Sequence, residues 1–308
     1  MKTLKDWIIA TGLKNRAVIN SIPVFREVAR QVYRWMPSSE AISAPRKDAV
    51  TGQANEDYAS LSAAQIKKLM NERYSKEEAY VVTCLWDKVR TEELNTVVIN
   101  MFSPTVDKRI LEVGAGIGGS AAYISKCKEF VGTDVSEVAV SQARQTFGNK
   151  PNFSFLTMDA MDLKLDEDYF DVVIAKEVIE HLPEPQRAIR EAFSVLRHGG
   201  LLVVTSPNRD SLHLRVNRML GYPDFKCSFD HVKEFTFGEV VEMLTEEGFR
   251  IKDTAGVFLQ PYWGIHKIDD HVRHLTDNDP RMVEMLRDLG KRAGAEYAFC
   301  FVVSAIKP

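Results

Sequence analysis

The stretch Glu177-Val178-Ile179-Glu180-His181-Leu182 sets two carboxylates and an imidazole at i, i+3 and i+4. On a helical turn those three side chains share one face. Further along, Asp230-His231-Val232-Lys233-Glu234 supplies a second imidazole, His231. Two carboxylates and two imidazoles suit a divalent cation such as Mg²⁺, Mn²⁺ or Zn²⁺. The candidate ligands are Glu177, Glu180, His181 and His231. Without a metal, the same residue types make His181 or His231 a general base that takes a proton from a substrate. A bland reading stays open: the glutamates are solvated, and the histidines pack or cap.

A second stretch, RILEVGAGIGGS over residues 109–120, runs an apolar strand into a glycine-rich turn. Gly114, Gly116 and Gly119 match the G-x-G-x-x-G pattern, and Asp134 follows at the distance of a ribose-binding acid. A helix-like AAYISK comes after the turn. The pattern alone fits several nucleoside ligands. Glu112, two residues before the first glycine, argues against a pyrophosphate, because a carboxylate there repels the anion that a helix N-terminus attracts. A ligand with an ammonium or sulfonium group and no phosphate accepts Glu112. S-adenosylmethionine (SAM) has those features, and its ribose still needs Asp134.

Such residues need strands to hold them. From about residue 105 the chain alternates strand and helix: RILEVG, EFVGTD, NFSFLTMDA, FDVVIAKE and LLVVTSPN read as strands with amphipathic helices between them. That rhythm implies a parallel sheet covered on both faces. Ile189, Ala192, Phe193 and Leu196 mark one buried helix face. Thr236-Phe237-Gly238-Glu239 is a capping box opening a helix that Gly248 ends. FRIKDTAGVFL and EYAFCFVVSAIKP form the last two strands around an insert, residues 261–295, with a helix PRMVEMLRDLGKRA. Ahead of this unit, residues 1–57 read as a basic amphipathic helical extension and linker, and 58–104 as a helical cap. Within the cap, Ser75-Lys76-Glu77-Glu78 makes a second capping box, and TEELNTVVINMF a further helix. The expected domain is 105–308.

In order and spacing the chain resembles the class I SAM-dependent methyltransferases. The stretches ILEVGAGIGG, VGTDVS, TMDAMDL, FDVVIAKEVIEHL and VLRHGGLLVVTSPN carry the resemblance. It implies an α/β, Rossmann-like sheet of seven strands, mostly parallel with an antiparallel last strand. It further implies that Glu112, Gly114, Ala115, Gly116 and Gly118 line the methionine and ribose side. Asp134, with Val135 beside it, would take the ribose hydroxyls, and Asp159, Ala160 and Met161 the adenine. Lys176 would face the cofactor carboxylate or be solvated. The Glu-x-x-Glu-His turn is similar to that of small-RNA 3′-terminal 2′-O-methyltransferases, which hold a metal with it, and of ubiquinone-pathway O-methyltransferases. A metal there lowers the pKa of the nucleophilic hydroxyl.

Composition narrows the partners. The chain of 308 residues has 45% hydrophobic residues, 27% charged residues and a net charge of −3. It has no bulk charge for nucleic acid. Residues 1–50 hold nine Lys or Arg against four Asp or Glu, so contact of that segment with an anionic membrane surface is one expectation and packing on the domain the other. The four cysteines are scattered, which fits free thiols in a cytoplasmic protein. No secretory leader or membrane span is read. An Asn-Pro-Pro-Tyr-type motif is absent after the fourth strand, where Ala175-Lys176-Glu177-Val178 stands, which disfavours DNA. The acceptor expected is a small-molecule hydroxyl on a glycan, secondary metabolite or phenol. Arg209, His213, Arg215, Arg218 and Tyr222 after the fifth strand, with Tyr262, Trp263, His266, His271 and His274 in the insert, could shape its pocket. An RNA ribose 2′-O-methyltransferase, a small-amine N-methyltransferase, a non-catalytic SAM-binding protein and a nicotinamide dehydrogenase are the alternatives.

Overall fold

The computed structural model describes residues 61–74, 76, 84–219, 221, 226–228, 230–260 and 266–308, the side chains of 266–271 excepted. The extension and linker expected over 1–57 and Ser75, Glu77 and Glu78 of the capping box expected in the cap lie outside the described residues. So do Tyr222, Tyr262 and Trp263.

Two helices precede the sheet, α1 (Ala63–Tyr74) and α2 (Leu85–Asn100). Then come β1 (Arg109–Val113), β2 (Glu129–Asp134), α3 (Glu137–Phe147), β3 (Phe153–Thr157), β4 (Phe170–Lys176), α4 (Pro185–Val195), β5 (Leu196–Pro207), α5 (Leu212–Met219), α6 (Phe237–Glu246), β6 (Arg250–Val257), α7 (His266–Asn278), α8 (Pro280–Tyr297) and β7 (Cys300–Ile306). The seven strands make one sheet in the order β3-β2-β1-β4-β5-β7-β6. β1 to β5 pair in parallel, while β7 runs antiparallel to β5 and β6. This is the expected Rossmann-like α/β arrangement.

Both faces of the sheet are covered because alternate strand residues point to opposite sides. Ile110, Phe130, Val172, Ile174, Val203 and Val302 pack on one side with Leu94 and Val98 of α2 and Leu286 and Leu289 of α8. Leu111, Val131, Val173, Leu202, Val204 and Val303 pack on the other with Ile189 and Ala192 of α4 and Val240 and Leu244 of α6. The capping box at Thr236 forms as read: Thr236 Oγ1 accepts from the Glu239 N–H at 3.1 Å, and Glu239 Oε2 accepts from the Thr236 N–H at 2.7 Å.

Three readings of local structure change. The helix TEELNTVVINMF belongs to one longer helix, α2, that starts at Leu85. Leu196, taken for the buried face of a helix, opens β5 instead, and Val195 takes its place among the buried residues of α4. The helix expected over AAYISK is a single 3-10 turn, Ser120–Ala122. Its carbonyls are used elsewhere, since Lys150 Nζ donates to the Ala121 and Ile124 carbonyls, each at 3.2 Å. Thr105 Oγ1 takes the Lys126 carbonyl at 2.5 Å. A single 3-10 turn leaves no long helix whose dipole would draw a pyrophosphate to the glycine loop.

Candidate functional site

The parallel strands end along one edge, and their C-terminal ends carry the predicted residues in a row. Glu112 lies near the end of β1, Asp134 at the end of β2, Asp159 just beyond β3, and Lys176 and Glu177 at the end of β4. β1 and β4 are neighbours in space although β2 and β3 intervene in sequence. At such a switch point the two chains leave in opposite directions and open a crevice for ligands.

The glycine loop fills the β1 side of that crevice. Gly114, Gly116 and Gly118 have φ of 67°, 53° and 93°, a region where a side chain is strained. Gly114 has a second reason to be glycine. A Cβ there would stand 2.4 Å from Val178 Cγ2, so the turn after β4 rests directly on the loop. Asp134 braces the loop from β2: its Oδ2 accepts from the Gly116 N–H at 2.8 Å and its Oδ1 from the Ser136 N–H at 2.9 Å. Burial raises the Asp134 carboxyl above its ordinary range despite these N–H groups.

Glu112 is 1% exposed. Its Oε1 takes the Ser120 hydroxyl and lies 3.6 Å from Lys176 Nζ, while Oε2 is buried with no partner. Burial pushes its carboxyl upward against the pull of Lys176 and Ser120. An acceptor atom left open at that place fits the ammonium end of SAM. Lys176 is not solvated. It donates to Asn95 Oδ1 of α2 and to Ser120 Oγ at 3.0 Å, so its charge is shared with Glu112. Asp159 Oδ1 accepts from the Met161 N–H at 2.9 Å, and its Oδ2 pairs with Lys67 of α1 at 2.7 Å. Ala160 is half-buried and Met161 buried beside it.

The turn after β4 divides its two glutamates. Glu177 adopts a left-handed conformation, φ 53°. Its carboxylate meets Arg90 Nη1 at 3.3 Å and accepts from Thr205 Oγ1 at 3.1 Å. The expectation that Glu177, Glu180 and His181 share one helical face is corrected by this reversal, because only Ile179–His181 forms a turn of 3-10 helix. Glu180, His181 and His231 do converge, with one ligand atom of each within 4.8 Å of the others. They meet because the Val232 and Lys233 N–H groups both donate to the Glu180 carbonyl, at 2.8 and 3.2 Å. Glu180 is fully buried, and the Ser206 hydroxyl faces its carboxylate without forming a well-aligned hydrogen bond to either oxygen. Burial drives its carboxyl well above the ordinary range, and the charge of Glu177 adds to this. Burial likewise pushes the His181 imidazole down to about 4, so it is neutral at pH 7.

Sequence reading missed the residues that hold this cluster. Asp230 and Glu234 flank His231, and the i, i+3 spacing of His231 and Glu234 was the available signal. Arg73 and Tyr74 reach it from α1: Arg73 Nε lies 2.7 Å from Asp230 Oδ2, and the Tyr74 hydroxyl donates to the same atom at 2.8 Å. Nothing in the sequence of α1 marks that approach. The arginines expected in an acceptor pocket are engaged in ion pairs, Arg209 with Glu239, and Arg215 and Arg218 with Asp210. His213 is buried and His274 exposed.

Residues 111–204 match a family described as a methyltransferase domain. A probable S-adenosylmethionine-dependent methyltransferase of Mycolicibacterium smegmatis is 32% identical over 150 residues, which is 48% of this chain and 54% of that protein. Over this stretch the chain is similar to the class I SAM-dependent methyltransferases. A ubiquinone biosynthesis O-methyltransferase of Colwellia psychrerythraea is 27% identical over 175 residues, 53% of this chain and 70% of that protein. The chain spans little more than half the length of the mycobacterial relatives, 54% and 57%. In fold it is similar to the magnesium protoporphyrin IX methyltransferase of Synechocystis with bound S-adenosylhomocysteine (TM-score 0.53, 15% identity, 79% of this chain and all of that one). It is also similar to the [4+2]-cyclase SpnF (TM-score 0.50, 22% identity, 70% of this chain and 80% of that one). A cyclase on the same fold shows that the sheet alone does not set the reaction. Among the described residues, no helix is long and apolar enough to cross a membrane.

Proposed function

We propose that the protein is an active SAM-dependent methyltransferase that acts on a hydroxyl group of a small molecule. The observation that carries this reading is the position of the Glu180–His181–His231 cluster, whose turn rests through Val178 on the glycine loop. SAM supplies a methyl group on a sulfonium, which a nucleophile displaces in line. The chain's part is to position and to move a proton. Glu112 and Asp134 hold the amino acid and ribose ends, and Asp159 with Met161 receives the adenine. Lys176 keeps Glu112 from being an unbalanced buried charge. The cluster beyond Val178 is where an acceptor hydroxyl loses its proton, in surroundings that keep His181 neutral and able to accept or coordinate. Likeness to ubiquinone biosynthesis O-methyltransferases over half the chain supports oxygen as the acceptor atom.

The test is calorimetric titration of SAM into the full chain, followed by methyl-labelled SAM with panels of phenols, catechols, sugars and amines. Wild type should bind SAM saturably. Asp134→Ala should bind about 30- to 100-fold more weakly, the loss of hydrogen bonds to one charged group. Label should appear on oxygen. Label on nitrogen would overturn the hydroxyl reading, and absence of SAM binding would leave a fold without this function.

A further inference from the structure

As the acid that receives the adenine, Asp159 must accept a hydrogen from the ring's amino group, yet both its oxygens already have donors. Oδ1 accepts from the Met161 N–H at 2.9 Å, and Oδ2 takes Lys67 Nζ at 2.7 Å. A carboxylate only accepts, so the adenine must approach one of the same two oxygens. The Met161 N–H belongs to the carboxylate's own loop and holds it in place. Lys67 comes from another element, α1. Its side chain is 51% exposed and that of Asp159 20%, so the ammonium covers the open side of the carboxylate.

Two turns further on, α1 carries a second set of contacts. Lys67 and Tyr74 stand at i and i+7, which puts them on one face of the helix. The Tyr74 hydroxyl donates to Asp230 Oδ2 at 2.8 Å and stands 3.4 Å from His181 Nε2. The two rings meet edge to face, with centroids 5.8 Å apart. Arg73 Nε lies 2.7 Å from the same Asp230 oxygen. Ser136, which caps α3 beside Asp134, donates its hydroxyl to the Tyr74 carbonyl at 3.1 Å. The apolar anchorage is slight by comparison. Ile66 and Met70 are the buried residues of α1, and they pack with Leu61, Leu69, Tyr74 and Val232 apart from the two clusters that cover the sheet. A helix held mostly by polar contacts and little apolar burial opens as a unit at low cost.

We propose that α1 is a latch across the crevice, with Lys67 a built-in competitor of the adenine at Asp159 and Tyr74 the cover of His181. Resting on the proposed cofactor site, the adenine amino group displaces Lys67, α1 loosens, and Tyr74 withdraws from His181. The cofactor thus opens the acceptor end, and entry is ordered, cofactor before acceptor. The Lys67–Asp159 contact bounds the size of the effect. An ion pair with one partner half exposed changes an equilibrium by at most about fivefold. By reciprocity, whatever factor Lys67 takes from adenine binding is the factor by which adenine binding uncovers His181.

The experiment titrates S-adenosylhomocysteine, which carries no net charge, into the full chain by calorimetry at low and high salt. Lys67→Met should bind it about two- to fivefold more tightly than wild type. Added NaCl should tighten wild type toward the variant and leave the variant unchanged, because salt screens the ion pair. Tyr74→Phe keeps the ring and loses the bond to Asp230. It should tighten binding by no more than Lys67→Met does, since all it can do is free Asp159, and it should add nothing in the Lys67→Met background. Saturating S-adenosylhomocysteine should speed carbethoxylation of His181 by diethyl pyrocarbonate about two- to fivefold, read by mass spectrometry of the peptide that carries it. Circular dichroism checks folding, and Lys67→Gln repeats the test if Lys67→Met folds poorly. Binding equal to wild type or weaker in the lysine variants would overturn the latch and leave Lys67 a bystander or a holder of the adenine. Additive effects of the two substitutions, or an unchanged or slower reaction at His181, would overturn the coupling along α1. Wild type that binds no S-adenosylhomocysteine, or Asp159→Ala that binds it as tightly as wild type, would instead refute the cofactor site, and the latch with it.

Discussion

If the turn after β4 is seated on the glycine loop, Gly114 and Val178 must be energetically coupled. Gly114→Ala introduces a side chain at φ 67° and puts a methyl 2.4 Å from Val178 Cγ2. The left-handed backbone costs about 1 kcal/mol and the overpacking about 2 kcal/mol more. Val178→Ala removes two methyl groups from a residue that is 8% exposed, at about 2 kcal/mol. Independent effects would sum to about 5 kcal/mol. They should not sum. With Val178 shortened, the clashing Cγ2 is gone, and the remaining neighbour, its Cβ, lies 3.6 Å from the new methyl, an ordinary contact. The double variant should therefore lose only about 3 kcal/mol, the backbone strain plus the lost valine packing. Urea unfolding of the four proteins measures the cycle. Additivity within about 0.5 kcal/mol would refute the seating. SAM titration of Gly114→Ala and the double variant adds a functional reading. Affinity lost in the single variant and partly regained in the double would tie the loop's geometry to the turn.

Two further outcomes follow from particular side chains. Burial, with a smaller contribution from Arg218, pushes the His213 imidazole down to about 3, against about 6.5 in the unfolded chain. Below pH 6.5 the unfolded chain binds a proton that the native protein refuses, so this group lowers stability progressively as pH falls from 6.5 toward 3 and has no effect above 6.5. Between pH 7 and pH 4.5 the loss should be about 3 kcal/mol, and His213→Gln should remove that part of the slope in urea midpoints measured at the two pH values. An unchanged slope would contradict the assignment. At the other end of the site's frame, Thr236→Ala should cost about 1 kcal/mol and lower the melting temperature by a few degrees, with Thr236→Ser close to wild type. A shift as large in Thr236→Ser as in Thr236→Ala would rule out capping as the cause.

Much of this architecture could be read from residue patterns. Apolar residues run almost continuously through β1, β2 and β4, because both faces of these strands are buried, and recur every three to four residues in α4, because one face is; both patterns survive in the sequence. The glycines were legible for a related reason, since a positive φ or a missing Cβ leaves few other choices. What sequence could not show is which way a side chain turns at a single reversal. Glu177 and Glu180 look equivalent in spacing, yet the left-handed φ at Glu177 sends one toward Arg90 and leaves the other buried beside two imidazoles. The shortening of the expected helix after the glycine loop was hidden too. There Lys150, about thirty residues away, donates to the Ala121 and Ile124 carbonyls, an approach that leaves no local pattern. Arg73 and Tyr74 were invisible because long-range approach leaves no local pattern.

The strand order has a consequence for how the chain assembles. Among the described residues β6 hydrogen-bonds to no strand but β7, and β7 sits between β5 and β6 in the finished sheet. On a growing chain, therefore, the edge of β5 stays open and β6 stays unpaired until residues 300–306 have emerged. The strands that carry Glu112 and Asp134, and β4, which leads into the turn of Glu180, can come together much earlier, since β1 to β4 all lie within residues 109–176. A half-made chain would then present a recognisable cofactor crevice beside an unprotected sheet edge, a natural template for mispairing with another copy. Arrival of the last strand, and not the formation of the ligand crevice, closes the window in which a nascent molecule needs shielding.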